Sequence, residues 1–437
     1  MGRTYTMSNY YRIKLTPVDK FFFGGDMTFQ VAKNKEDEKN NFNHLYSSYI
    51  IQSNQFPQQT SLLGMLRFLI LSNAGDNVFK DNKIINATEA AKLIGINGFS
   101  ADGKNDFGAI KKITHVRILR NDDELEFAPL SGSINMGNPE QWANGTYNLG
   151  ILSIPNVNKD QYNAKHGLEA LMLPITCLDS YYETMRNWET IRKEILEETE
   201  LPKPPYRLSD IFIPDRRVGI ARNASTGKTS DGALFKQISY RFNNNEANHC
   251  FVFEAEVELE NFEKYSGKMV NVGGDNSQFI IDINEIKEFK NAESKNYNNV
   301  AVLILSPTYL TREDVKNNTL FAVTRLMPFR FLREKNTISN SQNHQLKSSR
   351  KALFSLFIKK EDNKTNSQEE HNKEDGLTYH ILNSKLERGE RYELYAPGTV
   401  FYIGNDEKKR RNFINALESK NNFRLIGYNE YKLIEIS

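Results

Sequence analysis

Cysteine is almost absent from this sequence, and its scarcity excludes two kinds of cross-linked small fold. The 437 residues include two cysteines, Cys177 and Cys250, which lie far apart and form no CxxC motif. Two such residues cannot build a disulfide framework or a tetrahedral zinc site by themselves. We therefore expect a reduced, cytoplasmic setting, with no bound metal and no other cofactor.

Long apolar runs and a large excess of charge are also missing. The longest apolar stretch, residues 62–71, is interrupted by Gly64 and Arg67 and is too short to cross a bilayer. Residues 1–11 lack the apolar segment of a signal peptide, so we expect no membrane partner. Lys and Arg number 57 against 55 Asp and Glu, a net charge of +2. A nucleic-acid surface would therefore need local clusters of basic residues.

Familiar catalytic signatures are missing as well. The seven histidines are scattered outside any HExxH motif, and neither GxSxG nor GxGxxG occurs. Residues 224–229 (ASTGKT) resemble the end of a phosphate-binding loop, but Arg222 stands where that motif needs its first glycine. We interpret this segment as a polar, basic loop. His115 and His249 lie in strand-like stretches and are the best candidates for a general base, but we interpret each of them first as a structural histidine.

The sequence does contain a mixture of strand and helix patterns. Strands are predicted at residues 10–16, 253–259, 300–305, 399–403 and 423–436, and helices at 59–72, 407–419 and after Ser180. The strand at 253–259 alternates apolar residues with glutamates and should have one wet face. Thr60 or Ser61 can cap the helix at 59–72, which is apolar nearly all round and should be buried. The mixture predicts an α+β fold.

The length predicts more than one domain. Ser180 and Glu183 form a capping box that begins a helix, and prolines from residue 202 onwards end it. We therefore place a boundary near residue 205, with one domain at 1–205 and a second at 206–437. Residues 334–376 are rich in Asn, Lys, Glu, Ser and Gln, so this insertion is predicted to be mostly disordered.

Basic residues concentrate in one segment, where six occur between Arg216 and Arg241 with Phe235 and Tyr240 among them. Basic side chains pair with phosphates, and aromatic rings stack on unpaired bases. An ordinary solvated face would have the same composition, so both interpretations stay open. The double glycines at 24–25 and 273–274 are typical of tight turns, or of a backbone that closely approaches a ligand.

Six blocks of sequence occur in an order that resembles one known family. They are residues 15–29 (LTPVDKFFFGGDMTF), 59–67 (QTSLLGMLR), 217–220 with 232–235 (RVGI and GALF), 272–275 (VGGD), 305–308 (LSPT) and 394–400 (LYAPGTV). Together they resemble the third subunit of the Cmr (type III-B) CRISPR module, a RAMP protein of the Cas-five-like group.

The resemblance implies two ferredoxin-like (RRM-like) domains with long insertions and no enzymatic activity. Proteins of this kind hold the repeat-derived 5′ tag of the guide RNA (crRNA). They also dock against the large polymerase/cyclase subunit and the backbone RAMP subunits of a cytoplasmic ribonucleoprotein. The RNA-binding residues expected from it are Lys20, Phe23, Gly24, Gly25, Arg67, Arg216, Arg217, Arg222, Lys228, Arg241, Gly273 and Gly274.

Two alternatives stay open at the level of sequence. The first is a RAMP endoribonuclease that processes the guide-RNA precursor, in which His115 or His249 would act as the base. The second is the equivalent tag-binding subunit of a type III-A (Csm) complex. A cleavage assay separates the first alternative from a binding subunit, and genomic neighbours separate the second.

Overall fold

The computed structural model describes residues 9–25, 27–31, 46–96, 98–130, 134–135, 150–151, 170–174, 206–222, 226, 229–289, 300–330, 332–336, 358–362, 377–381, 384–388 and 391–435. The strands are β1 (Asn9–Pro17), β2 (Met27–Val31), β3 (Tyr46–Gln52), β4 (Phe79–Lys80), β5 (Lys83–Ile84), β6 (Ile110–Ile113), β7 (Arg117–Arg120), β8 (Asp123–Ala128), β9 (Ile134–Asn135), β10 (Gly150–Ile151), β11 (Leu171–Pro174), β12 (Tyr206–Arg207), β13 (Phe212–Arg222), β14 (Thr229–Phe242), β15 (His249–Val257), β16 (Met269–Asn271), β17 (Gln278–Ile286), β18 (Val300–Ile304), β19 (Phe321–Val323), β20 (Leu326–Phe329), β21 (Leu332–Asn336), β22 (Ile358–Asp362), β23 (Leu377–Ile381), β24 (Ser384–Arg388), β25 (Tyr392–Tyr395), β26 (Val400–Gly404) and β27 (Tyr431–Glu435). The helices are α1 (Gln59–Ser72), α2 (Ala87–Ile94), α3 (Leu208–Ile211), α4 (Arg312–Asn318), α5 (Glu407–Glu418), α6 (Asn421–Leu425) and a 3₁₀ turn at Phe262–Tyr265.

The largest layer is a nine-stranded antiparallel sheet. Its order is β12-β11-β8-β7-β15-β1-β17-β16, with β6 paired to the other end of β15. The predicted first strand is confirmed as β1, which lies between β15 and β17, so that Ile13 is opposite both Phe253 and Ile283. Apolar side chains of β1 alternate inward and share one core with the buried side of α1. Strands from both sides of residue 205 therefore belong to one sheet.

The opposite face of this sheet carries charges, and one prediction about it is wrong. Glu254 on β15 was expected on a wet face, but only 2% of it is exposed. Arg12 of β1 and Arg117 of β7 approach its carboxylate at 3.8 and 3.3 Å, and Glu124 of β8 lies 2.6 Å from Arg12. Two arginines and two glutamates thus cover one another, because a charge that leaves water needs a partner of opposite sign.

The second sheet lies near the end of the chain and has the order β19-β26-β18-β27, antiparallel throughout. Helix α4 connects β18 to β19, and α5 with α6 connects β26 to β27. All five residues of β18 are buried, as their continuous apolar run predicted. Phe413 and Leu417 of α5 pack on Val302 and Ile304 of β18 in a small core of their own.

A third sheet is built around a long hairpin and has the order β13-β14-β3-β2. Strands β13 and β14 pair from Phe212 opposite Phe242 up to Ile220 opposite Leu234. Strand β14 also pairs with β3 in parallel, while β2 pairs with β3 in antiparallel orientation. The remaining described pairings are two-stranded: β4 with β5, β9 with β10, β20 with β25, β21 with β24, and β22 with β23.

The predicted helix boundaries agree with the structure more closely than the predicted N-cap residues do. Helix α1 has the predicted bounds, but its N-cap is Gln58, whose side chain makes no capping bond, rather than Thr60 or Ser61. Asp406 caps α5 and accepts a hydrogen bond from the Lys409 amide. The single terminal strand predicted at 423–436 is wrong in its first half. Helix α6 occupies that part, and Gly427 and Asn429 turn the chain with positive φ before β27.

The predicted helix after Ser180 falls outside the described residues. Within the insertion at 334–376, the described residues 334–336 and 358–362 lie in strands β21 and β22. The described part of the chain therefore mixes helices with mostly antiparallel sheets, which confirms the α+β class. It contains no helix that is long and apolar enough to cross a membrane.

Candidate nucleic-acid interface

The segment between β1 and β2 ties three elements together through backbone hydrogen bonds. Phe21 exchanges two bonds with Tyr240 of β14, of 2.7 and 3.0 Å. The Gly274 amide, in the turn between β16 and β17, donates to the Phe22 carbonyl at 2.7 Å. The Asn54 amide donates to the Gly24 carbonyl at 2.6 Å. Residues 20–25 thus hold the root of the hairpin β13–β14 against the large sheet.

Aromatic packing anchors this segment from below. Phe21 and Phe23 are 1% and 7% exposed, and their rings stack with centroids 4.8 Å apart. Both rings also contact Phe251 and Phe279 of the large sheet. Phe23 was among the expected RNA-binding residues, but its ring is committed to the core and is not available to stack on a base.

The glycines of the segment meet a steric requirement. A Cβ on Gly25 would lie 1.7 Å from the Gln52 carbonyl oxygen, and one on Gly273 would lie 2.4 Å from the Phe22 carbonyl oxygen. Gly273 also has a φ of +83°, which favours glycine over other residues. The tight-turn interpretation therefore explains both double glycines, and a contact of Gly24, Gly25, Gly273 or Gly274 with RNA stays a prediction.

Three basic residues lie on or beside one face of the hairpin. Residues opposite each other in antiparallel strands share a face, so Asp215 and Arg217 of β13 lie with Ser239 and Gln237 of β14, and Arg241 opposite Ile213 continues the row. Lys20 lies beside this row and forms a 3.1 Å ion pair with Asp215, and Arg217 approaches the same carboxylate at 3.6 Å. We call this surface the Arg217 face.

The glycine turn after β16 meets the same face, because the Gln237 side chain donates a hydrogen bond to the Asp275 carboxylate. Lys20, Arg217 and Arg241 provide three cations against the carboxylates of Asp215 and Asp275. Arg217 keeps 66% of its side-chain surface exposed, so it remains accessible to a phosphate. The structure thus brings together Lys20, the two glycine turns, Arg217 and Arg241 around the root of one hairpin.

An aromatic ring completes the Arg217 face, and the sequence marked it only as a neighbour of basic residues. Phe235 is opposite Gly219, and a Cβ at that glycine would lie 2.1 Å from the ring's Cζ atom. The ring therefore lies flat across the backbone of Gly219, and Phe235 is partly exposed. A flat, partly exposed ring beside arginines is the arrangement on which unpaired bases stack.

Other predicted residues lie apart from this face. Arg216 is on the opposite side of the hairpin, next to the exposed Val218. Arg67 is partly buried in α1 and donates to the Gly95 carbonyl oxygen at 3.4 Å. Desolvation lowers the pKa of Arg67 to about 10, against the opposing effect of Asp106. Arg67 therefore holds the loop after α2, and its side chain is not part of the hairpin surface.

The hairpin tip gives no support to a phosphate-binding loop. Strand β13 ends at Arg222 and β14 begins at Thr229, so the ASTGKT segment joins two strands instead of a strand and a helix. Arg222 is described by its backbone, and Lys228 lies outside the described residues. Their expected contacts with RNA stay predictions.

The two candidate histidines lie in different places. His115 was expected in a strand, but it lies in the connection between β6 and β7, where its Nε2 atom is 2.7 Å from a Glu126 carboxylate oxygen. His249 begins β15 and stacks on Phe242 with centroids 5.6 Å apart. Burial and the neighbouring Arg120 lower the pKa of His249, which favours its neutral form.

The fold and this surface define an α+β protein of mostly antiparallel sheets that displays a basic hairpin beside two glycine turns. A family model described as CRISPR-associated protein (Cas_Cmr3) matches residues 13–436. The chain therefore belongs to this family, which confirms the resemblance to the third subunit of the Cmr module. It is a subunit of a type III-B effector, and the type III-A alternative is set aside.

Solved structures of low similarity are chains of type III-B Cmr-beta complexes. A chain of a type III-B Cmr-beta complex bound to cognate target RNA is 14% identical, with 98% of each chain covered and a TM-score of 0.45. A chain of the complex with target RNA and AMPPnP is 14% identical, with 96% and 95% covered and a TM-score of 0.42. An apo-state chain is 12% identical, with 65% and 99% covered and a TM-score of 0.24. No curated protein matches the chain.

Proposed function

We propose that this chain is a non-catalytic RNA-binding subunit that holds the repeat-derived 5′ tag of the guide RNA within a cytoplasmic type III-B effector. The observation that carries this proposal is the convergence at the hairpin root, where Lys20, Arg217 and Arg241 lie beside the two glycine turns. Exposed arginines and lysines bind phosphates. The partly exposed ring of Phe235 supplies a platform for an unpaired base.

We further propose two ferredoxin-like domains. In the large sheet, the elements β1, α1, β7, β15, the 3₁₀ turn and β17 occur in that chain order, and the strands lie side by side as β17-β1-β15-β7. In the second sheet, the same arrangement is repeated by β18, α4, β19, β26, α5 and β27. Both follow the β-α-β-β-α-β pattern. Strand pairing favours a boundary between Ile286 and Val300, whereas the sequence places it near residue 205.

The proposed partners are the guide RNA, the large polymerase/cyclase subunit and the backbone RAMP subunits. An apolar corner of the large sheet supports a protein contact, since Val18, Met269 and Ile280 are 52%, 58% and 46% exposed. Met269 is directly opposite Ile280, and Ile280 is opposite Thr16 near the end of β1. Contiguous exposed apolar residues of this kind are typical of surfaces that another protein covers.

The test is tag binding by the chain in its complex. RNA with the 5′ tag competes against a scrambled RNA of equal length across a salt series. Arg217→Ala is compared with Arg312→Ala, in which the replaced arginine is exposed on helix α4, beside the second sheet. We expect Arg217→Ala to weaken tag binding about tenfold or more, because hydrogen bonds to charged groups contribute about 1.5–3 kcal/mol, and Arg312→Ala to leave it unchanged. If the wild type and both variants bind the tagged and the scrambled RNA equally well, the chain makes only a generic contact with phosphates and does not recognise the tag.

An endoribonuclease remains the second candidate, and one observation favours it. His115 is 7% exposed and is oriented by Glu126, as a carboxylate orients the histidine of a catalytic dyad. The assay is cleavage of guide-RNA precursor by the purified chain, with His115→Ala and His249→Ala as the variants. Site-specific cutting that His115→Ala abolishes would refute the non-catalytic proposal. Cutting that neither variant changes would point to a contaminating nuclease.

A further inference from the structure

A cavity of about 360 Å³ lies beside the hairpin root, where Gln52, Asn54 and Tyr240 form part of its wall, and Lys20, Arg217 and Arg241 do not line it. Its walls come from distant parts of the chain, namely the stretch before α1, the connection that carries His115, and the second half of the chain around Ser306, Arg325 and Tyr428. Pockets of this size hold small ligands, and they combine apolar walls with a few well-placed polar groups. The hairpin-root proposal does not use this cavity.

Aromatic rings form part of the cavity wall, beside aliphatic, proline and amide side chains. Rings of Phe56, Phe127, Phe329 and Tyr428 line the cavity. Phe127 and Phe329 are 5% and 2% exposed, so their rings are fixed by the core behind them. Rigid rings around a narrow space favour a flat, unsaturated ligand over a flexible aliphatic one, because flat ligands gain stacking contacts.

One wall residue carries a buried acceptor without a partner. Gln59 is 2% exposed, and its Nε2 atom donates to the carbonyl oxygens of Thr114 at 2.8 Å and Ile426 at 2.7 Å. These two bonds fix the orientation of the amide. They leave Oε1 without a hydrogen bond among the described residues. A buried acceptor in this state is destabilising, and a donor on a ligand would satisfy it.

Two further groups add polar chemistry. His115 lines the cavity, and Glu126 engages its Nε2 atom and leaves Nδ1 for another partner. Arg325 also lines it and forms no ion pair with a carboxylate among the described residues. Arg325 is exposed to solvent, and desolvation by the protein around it lowers its pKa. An anionic group on a ligand would form an ion pair with it.

We propose that this cavity is a nucleotide-binding site. The base would lie between the aromatic walls with an N–H edge directed at Gln59, and the phosphate would pair with Arg325. A planar base with N–H donors and an attached anion combines the three properties that the walls select. The nucleotide is either a free ribonucleoside monophosphate or one unstacked unit of an RNA chain, and in the second case the proposal rests on the proposed function.

The first arm of the test uses free ligands. Equilibrium dialysis of the full chain measures binding of the four ribonucleoside 5′-monophosphates, with inorganic phosphate as the comparison. Arg325→Met is expected to weaken nucleotide binding at least tenfold. Arg330→Met, an exposed arginine outside the cavity walls, should have no effect. Met327→Trp fills the cavity and should abolish binding, with far-UV circular dichroism used to check that this variant is folded.

The second arm uses RNA in the assembled complex, with each tag nucleotide replaced in turn by an abasic one. An RNA-borne nucleotide predicts one position whose base loss weakens binding in the wild type but not in Met327→Trp. Free-nucleotide binding that Arg325→Met weakens would support the other source. No monophosphate binding together with no base-sensitive position would overturn the site. Arg217→Ala would still test the hairpin root, so the two proposals fail independently.

Discussion

Replacing Glu254 by alanine should lower the free energy of unfolding far more than the same change at Glu256. The two carboxylates lie on the same face of β15, two residues apart. Glu254 is 2% exposed and is shared by Arg117 at 3.3 Å and Arg12 at 3.8 Å. Glu256 is partly exposed and matches Glu254 in residue type, strand and face.

The magnitude follows from burial. Removing one partner of a buried ion pair leaves an uncompensated charge and costs about 3–5 kcal/mol. Glu124 lies 2.6 Å from Arg12 and also contacts Arg117, so part of the compensation survives and the loss should fall near the lower end of that range. An exposed carboxylate contributes about 0–1 kcal/mol, so Glu256→Ala should be nearly neutral.

The assay is urea unfolding followed by far-UV circular dichroism. The double variant Glu254→Ala/Arg117→Ala is expected to be less destabilised than the sum of the single variants, because residues in one network couple. If Glu254→Ala and Glu256→Ala unfold at the same urea concentration, then the four charges contribute nothing specific, and the assignment of a buried network is wrong.

Two further changes test the packing of the hairpin root and the sheet. Gly25→Ala should lower the melting temperature, because the added Cβ would clash with the Gln52 carbonyl oxygen. Gly98→Ala is the control, since its added methyl group would lie in open space and should leave the melting temperature unchanged. Equal melting temperatures of the two variants would contradict the close approach at Gly25. Burial and the neighbouring Arg120 lower the pKa of His249 in the folded protein. Protonation of His249 therefore destabilises the fold: the free energy of unfolding is highest above the unfolded-state pKa of about 6.5, and it falls as the pH drops from that value towards the lower folded-state pKa. His249→Asn should flatten this dependence in unfolding midpoints measured from pH 7.5 to 5, and an unchanged slope would assign it to another group.

Local patterns predicted the elements whose surroundings are simple. Strand β1 alternates, β18 is apolar throughout and α1 is apolar on most sides, so their burial follows from composition alone. The wet face expected for β15 fails at Glu254, whose partners Arg12 and Arg117 are more than a hundred positions away in sequence, whereas Glu256 is partly exposed. No local pattern indicates that a glutamate will meet two arginines.

The sequence predicted which segment carries the basic residues of the candidate site, but not which of them share one surface. A run of basic residues marked the hairpin, yet pairing alone separates Arg217 from Arg216 onto opposite faces. Arg67 and Phe23 look like ligand-binding residues in one dimension, although the fold commits them to a loop carbonyl and to the core. The cavity around Gln59 could not be foreseen, since its walls meet only after the distant segments have packed.

The position of β1 in the middle of the large sheet has a consequence for synthesis. Ile13 pairs with Phe253, which leaves the ribosome 240 residues later, and at roughly 5–20 residues per second this takes about 12–48 s. During that interval β1 has neither neighbour, and its apolar face and both edges can engage other nascent chains. The N-terminal strand should therefore be a binding site for ribosome-associated chaperones until β15 has been synthesised.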